Sequence, residues 1–234
     1  MLIKNPQLWT YSLPIALMLL APFNILASLG MDIYLPIVPV MPEILGTTPE
    51  VVQLTLTLYM IMLGVGQIIF GPLSDRFGRR PILIGGVLVF AATSLALAMT
   101  TSAWLFVLLR LMQATGAAAM LVAVFATVRD VYADTPESAV IYSLMDAMLA
   151  FVPALGPIAG ALIASYLGWG AIFLALCISA LLALPLILPK WHETRQSRAH
   201  SSRSDFGLVL RSPYFWVYTL AFGTAMGAFF VFFS

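Results

Sequence analysis

Charged residues cut this chain into seven long apolar runs, near residues 12–36, 51–72, 82–99, 103–127, 138–166, 170–189 and 213–234. A helix needs about 20 apolar residues to cross the hydrocarbon layer, and every run reaches or approaches that length. In hydrocarbon each backbone N–H and C=O must be satisfied internally, so runs of this kind fold as spanning helices. The composition leaves no soluble alternative, because 62% of residues are apolar and only 9% charged, against about 25% charged in a soluble domain. A soluble enzyme and a DNA-binding domain are excluded, and a net charge of +1 points to neither nucleic acid nor an acidic partner. The expected fold class is an all-α integral membrane protein with seven transmembrane helices and the lipid bilayer as its solvent. Twelve spans would need about 240 residues before any loop, so 234 residues hold no more than about seven or eight.

The uncharged stretch Asn5–Met31 is too long for a signal-peptide core and reads as the first span. Cys177 is the single cysteine and has no metal-ligand companions, so no metal and no cofactor are expected. The segment Lys190–Arg211 carries five of the eleven basic residues, both histidines and a Ser/Arg-rich stretch, and reads as a flexible linker. The domains expected are a six-helix bundle over 1–189, a basic linker over 190–212 and a seventh helix over 213–234. With loops numbered alternately, one side of the membrane collects Lys4, Arg76, Arg79, Arg80, Arg129, Lys190, Arg195, Arg198, Arg203 and Arg211, and the other collects none. That asymmetry places the N-terminus and the linker in the cytoplasm.

Three charges fall inside the spans: Asp32, Arg110 and Asp146. Charge at bilayer depth is costly and faces a partner or a cavity. At about 1.5 Å per residue, Arg110 lies about 10 Å from the external start of span 4 and Asp32 about 12 Å from the external end of span 1. An Asp32–Arg110 pair is therefore geometrically possible. Such a pair acts either as a static packing device or as a proton-responsive switch, since a carboxylate beside Arg⁺ regains proton affinity when the pair breaks. Asp146 enters from the cytoplasmic side, in the opposite half of the membrane. It shares a helix face with Pro153, Pro157 and Gly160, and either faces a cavity or is capped by polar neighbours.

The loop after span 2 reads Gly71-Pro-Leu-Ser-Asp75-Arg76-Phe-Gly78-Arg79-Arg80-Pro81. Positive-inside placement accounts for its arginines but not for Asp75 or the glycine spacing. The string resembles the loop 2–3 signature of the major facilitator superfamily, Gly-x-x-x-Asp-Arg-x-Gly-Arg-Arg. Two further segments resemble motifs of that family in the right order. Arg110-Leu-Met-Gln113-Ala-Thr-Gly116 is similar to its helix 4 motif, with Ala114 at a customary glycine. Gly156-Pro157-Ile-Ala-Gly160 is similar to the helix 5 motif of antiporters, with Ala161 at a second terminal glycine. The runs Ala21-Pro-Phe-Asn24, Leu29–Pro36, Phe125–Tyr132 and Phe151–Pro157 look like the chloramphenicol/florfenicol exporters of the drug:proton antiporter branch, over the whole chain but only the N-terminal half of such a transporter.

The resemblance implies two six-helix bundles with a drug site between them, in the bacterial inner membrane. The substrate would be a small neutral aromatic drug, exported in exchange for protons, without enzymatic chemistry. Asp32, Arg110 and Asp146 would couple protons, and Asn24, Tyr59, Gln113 and Tyr142 would contact the drug. Asp75, Arg76 and Arg79, within Gly71–Arg80, would form a latch with Asp130. The bland reading of that latch is an exposed ion pair worth about 0–1 kcal/mol. Asn24 stands where the exporters carry an acid, and Trp169-Gly170 replaces a Trp-Arg turn. A seven-span receptor or retinal protein fails for want of a lysine in span 7, and an intramembrane protease fails because both histidines lie in the linker. The alternatives kept are a multidrug exporter with other substrates and a non-transporting fragment or assembly subunit lacking the second bundle.

Overall fold

The computed structural model describes residues 11–133, 135–194 and 211–233. Among these the regular structure is all helix, joined by short turns, with no strand. The helices are α1 (Leu13–Asp32), α2 (Met41–Ile44), α3 (Pro49–Phe77), α4 (Arg79–Met99), α5 (Ala103–Tyr132), α6 (Glu137–Ala150), α7 (Val152–Leu167), α8 (Gly170–Lys190) and α9 (Pro213–Phe233), with a 3₁₀ turn over Leu35–Val40 between α1 and α2. Five segments are long and apolar enough to cross a membrane: Leu13–Ile44, Pro49–Phe77, Arg79–Met99, Ala103–Tyr132 and Glu137–Leu167. A shorter apolar stretch covers Gly170–Pro185 within α8. These are the first six expected spans, and α9 falls on the seventh.

Two expected spans are broken by proline. Span 1 is α-helical only as far as Asp32, then tightens into the 3₁₀ turn and resumes in α2. Pro36 and Pro39 have no N–H to donate to the carbonyls four residues back, and Tyr34 N–H instead bonds Met31 O at 3.3 Å. Span 5 divides at Phe151 because Pro153 cannot continue the α6 ladder. Phe151 N–H bonds Met148 O at 3.3 Å, and α7 starts at Val152.

The helix α5 is the axis of the bundle. It carries Ala114, Gly116, Ala117, Ala118, Ala119 and Ala123, all buried, and α1, α3 and α4 pack against it. Small residues permit the close backbone approach that drives helix association in lipid. A Cβ on Gly116 would lie 2.7 Å from both Gly86 O and Phe90 N of α4, so the α4–α5 crossing requires glycine there. At Gly78, φ is +105°, a conformation that glycine adopts without cost; it ends α3 and begins α4 in a single residue.

Contacts divide the chain into one unit up to residue 195 and another from 196 onward. The second unit contains α9, an aromatic-rich helix in which Phe215 and Trp216 meet edge to face at 5.6 Å. The first residues of the expected linker lie within the described structure. Trp191 and Thr194 are buried, and the Trp191 ring stands edge-on to Phe23 of α1 at 5.9 Å. An indole buried on an aromatic core anchors what its Ser/Arg-rich continuation suggested was loose. The rest of that linker, 195–210, lies outside the described residues.

Candidate functional site

Near the α3–α5 end opposite Gly78, a single arginine is sealed in the bundle. Arg110 is fully buried on α5. Its Nη1 donates to Gly30 O of α1 at 2.7 Å and to Gln113 Oε1, one turn on, at 2.6 Å. Gln113 Nε2 donates to Ser94 Oγ of α4 at 2.7 Å, and Ser94 Oγ donates to Phe90 O at 2.6 Å. The guanidinium stands over Tyr59 at 4.4 Å, Tyr34 at 4.8 Å and Phe173 at 6.0 Å, so ring faces supply the negative electrostatic surface that solvent would. Tyr59, also fully buried, donates to Ala27 O at 3.0 Å. Arg110 Nε and Nη2 have no hydrogen-bond acceptor among the described residues. The cluster thus ties α1, α3, α4, α5 and α8 to one buried positive charge.

The expected Asp32–Arg110 ion pair is absent. The Asp32 carboxylate accepts a hydrogen bond from Ser28 Oγ at 3.2 Å, while Arg110 bonds the backbone of Gly30. The reason is helical phase. Two residues along an α-helix turn the side chain by about 200°, so the α1 face that meets α5 at Gly30 is not the face that carries Asp32. Asp32 points toward α7 instead. A Cβ on Gly156 would lie 3.2 Å from Asp32 Cβ, and one on Gly160 would collide with Ile33 O. The glycines of Gly156-Pro157-Ile-Ala-Gly160 therefore let α7 lie directly on the end of α1 that bears Asp32.

The remaining expected groups separate. Tyr59 and Gln113, expected to contact a drug, are enclosed in the arginine cluster. Asn24 is buried in α1, and neither its Nδ2 nor its Oδ1 is hydrogen-bonded among the described residues. Asp146 is exposed on α6. Tyr142 is half-buried, stacked on Phe125 at 6.0 Å. With Phe125 it lines a cavity of about 370 Å³ that also touches Gln67, Gly71, Asp75, Arg79 and Arg129.

That cavity adjoins a second charged cluster at the Gly78 end. Arg79, whose side chain is 5% exposed, binds Asp130 at the end of α5 through Nε at 2.7 Å and Asp75 through Nη1 at 2.6 Å. Nη1 also reaches Ser74 Oγ at 3.2 Å. Arg129 lies 3.8 Å from both Asp75 and Asp130. The Arg76 guanidinium covers the Phe77 ring at 5.4 Å. Arg80 takes part through its backbone, whose N–H donates to Glu193 Oε2 at 3.2 Å, while Arg79 N–H donates to Glu193 Oε1 at 2.8 Å.

Ser94, Tyr34 and Glu193 were not among the expected residues. Ser94 sits one helix away from Gln113 with nothing local to mark it. Tyr34 lies two residues from Asp32, but the cation it covers, Arg110, is on another helix, so nothing local marks it. Glu193 lies 114 residues from its Arg79 contact.

Comparison with known proteins agrees with this architecture. The model of the Major Facilitator Superfamily matches residues 20–234. A chloramphenicol resistance protein of Pseudomonas aeruginosa is 52% identical over 97% of this chain and 54% of its own length. A bicyclomycin resistance protein homolog of Haemophilus influenzae is 35% identical, over 76% of this chain and 46% of its own. A multidrug resistance protein of Shewanella is 29% identical, over 75% and 44% respectively. The chain spans about half the length of these curated relatives.

Proposed function

Because the chain belongs to the Major Facilitator Superfamily, a family of multi-pass membrane transporters rather than enzymes, we propose that it forms the first bundle of a proton-coupled exporter of phenicol-type antibiotics. The observation that carries this reading is the fully buried Arg110 beside the α1–α7 contact that holds Asp32. A membrane bundle keeps a buried cation and a nearby carboxylate at mid-depth where charge is moved or sensed. The relative named for chloramphenicol resistance supports the drug class.

In this reading the protein lies in the bacterial inner membrane with its N-terminus and the Gly78 end in the cytoplasm. The bundle 1–189 supplies its own residues to the drug site, and 190–212 links it in sequence to the helix at 213–234. A proton entering from outside neutralises Asp32. Neutral Asp32 weakens the local field that favours a charged Arg110, and the α1–α7 contact rearranges. One charge crossing about 100 mV supplies about 2.3 kcal/mol. Asp146, exposed on α6, is a second protonation point. Asn24, with two free hydrogen-bonding atoms, and Tyr142, at the cavity, contact the drug first; Tyr59 and Gln113 do so only when the Arg110 cluster opens. Asp75, Arg79 and Asp130, with Gly71, Arg76, Gly78 and Arg80 shaping the turn, latch the cytoplasmic end.

The test is chloramphenicol accumulation in cells carrying this bundle within a complete transporter, with and without a protonophore. Asp32→Asn is expected to abolish gradient-dependent efflux, and unchanged efflux in that variant refutes the coupling role. A broader drug range is a second reading, favoured by relatives named for bicyclomycin and multidrug resistance; equal efflux of unrelated cationic dyes would establish it.

A further inference from the structure

An α-helix begins with backbone N–H groups that have no partner within the helix, and α4 begins at Arg79 straight after a residue without a side chain. Gly78 therefore has nothing with which to cap them. Both oxygens of the Glu193 carboxylate take that place, accepting from Arg79 N–H at 2.8 Å and Arg80 N–H at 3.2 Å. A negative charge is also favoured there by the helix dipole. The fit is mutual: a Cβ on Gly78 would collide with that carboxylate. The space the glycine leaves is the space the glutamate fills.

Glu193 is held in register by its own neighbours. Trp191 is buried against Phe23 of α1, and Lys190 O accepts a hydrogen bond from Tyr11 at 2.8 Å. The four residues after α8 therefore form a strap anchored on α1 at one point and on α4 at another. The second anchor is the backbone of the residue whose side chain joins Asp75 and Asp130. We infer that Glu193 is a positioning residue for the Arg79 cluster, fixing the Arg79 backbone so that its guanidinium meets Asp130, and that the strap leaving α8 thereby controls whether that cluster is made. This rests on the latch reading above for its role in transport, but the geometry it predicts is measurable without transport.

The test is residue-resolved amide hydrogen exchange on this chain in lipid nanodiscs, with no drug and no proton gradient. A charge-assisted cap of this kind protects strongly, so Glu193→Ala is expected to speed exchange at Arg79 and Arg80 by about tenfold or more, with amides around Arg110 unchanged. Glu193→Gln keeps the size and one acceptor oxygen, and is expected to deprotect one of the two amides; it carries the test if the alanine variant does not fold. A purely structural cap would add independently to other changes, whereas a residue acting through Arg79 will not. The unfolding-midpoint shift of Glu193→Gln is therefore expected to shrink at least twofold in an Asp130→Asn background. Unchanged exchange at Arg79 and Arg80, equal acceleration throughout α4 and α5, or strict additivity with Asp130→Asn overturns the inference. Loss of export alone bears on the proposed function and not on this contact.

Discussion

Two carboxylates bind Arg79, and the structure makes them energetically unequal. The Arg79 side chain is 5% exposed, Asp130 13% and Asp75 56%, while the two N–O distances are nearly the same at 2.7 and 2.6 Å. Distance alone would rank them equal; burial does not. Replacing Asp130 by Asn leaves a buried guanidinium whose nearest countercharge is the half-exposed Asp75. Breaking a buried pair from one side costs about 3–5 kcal/mol, and since Asn retains one acceptor oxygen the lower end applies, about 3 kcal/mol. At about 2–4 °C per kcal/mol for a unit of this size, the midpoint falls by roughly 6–12 °C. Replacing Asp75 by Asn removes a solvent-screened partner and leaves the Asp130 pair intact, for about 0–1 kcal/mol and a shift of no more than about 4 °C. The assay is a tryptophan-fluorescence melt of the purified chain in one detergent at one ionic strength. Raising the salt should erase the Asp75 effect and spare most of the Asp130 effect. Equal shifts for the two variants, or a larger one for Asp75→Asn, would refute the argument that burial and not contact distance sets the strength of this cluster.

The other expectations use the same melt. Gly160→Ala places a methyl against Ile33 O and should destabilise by about 1–3 kcal/mol, whereas Gly64→Ala, where a Cβ meets nothing within 4 Å, should be neutral or stabilising by up to about 1 kcal/mol. Asn24→Leu removes two buried amide atoms that have no hydrogen-bond partner among the described residues and should stabilise, by about 1–3 kcal/mol at most, raising the midpoint; a lowered midpoint would show that those atoms are satisfied in the membrane. Arg110→Lys keeps one nitrogen to serve Gly30 O and Gln113 Oε1, both of which Arg110 meets through Nη1 alone, but loses the planar ion over three rings. It should cost about 2 kcal/mol or more, and a wild-type melt would refute the aromatic cage as the source of its stability.

How far the sequence reached depends on whether an interaction is set along one helix or across several. Asp75 and Arg79 are four residues apart within one turn, and their grouping with Asp130 came from the resemblance of the Gly71–Arg80 string to a family signature rather than from spacing alone. The breaks in spans 1 and 5 were also written locally, in Pro36 and Pro153, although run length concealed them. Asp32 and Arg110 are the instructive failure. Depth, counted at a fixed rise per residue, set them level, and the helices that carry them do touch. But depth is one coordinate of a cylinder and azimuth is the other. Azimuth depends on which face of α1 meets α5, and that is decided by Gly30, where a Cβ would lie 2.5 Å from Tyr59 Oη and 2.9 Å from Phe90. The glycine brings the backbone close enough for its carbonyl to replace the carboxylate as the partner of Arg110, and turns Asp32 about 200° away toward Gly156. A charge and its countercharge at matched depth on neighbouring helices thus stay apart because a residue with no side chain takes the contact between them. It follows that Gly30→Ala, which forces α1 off Tyr59 and Phe90, should disturb Arg110 more than Asp32→Asn does, although Asp32 bears the charge.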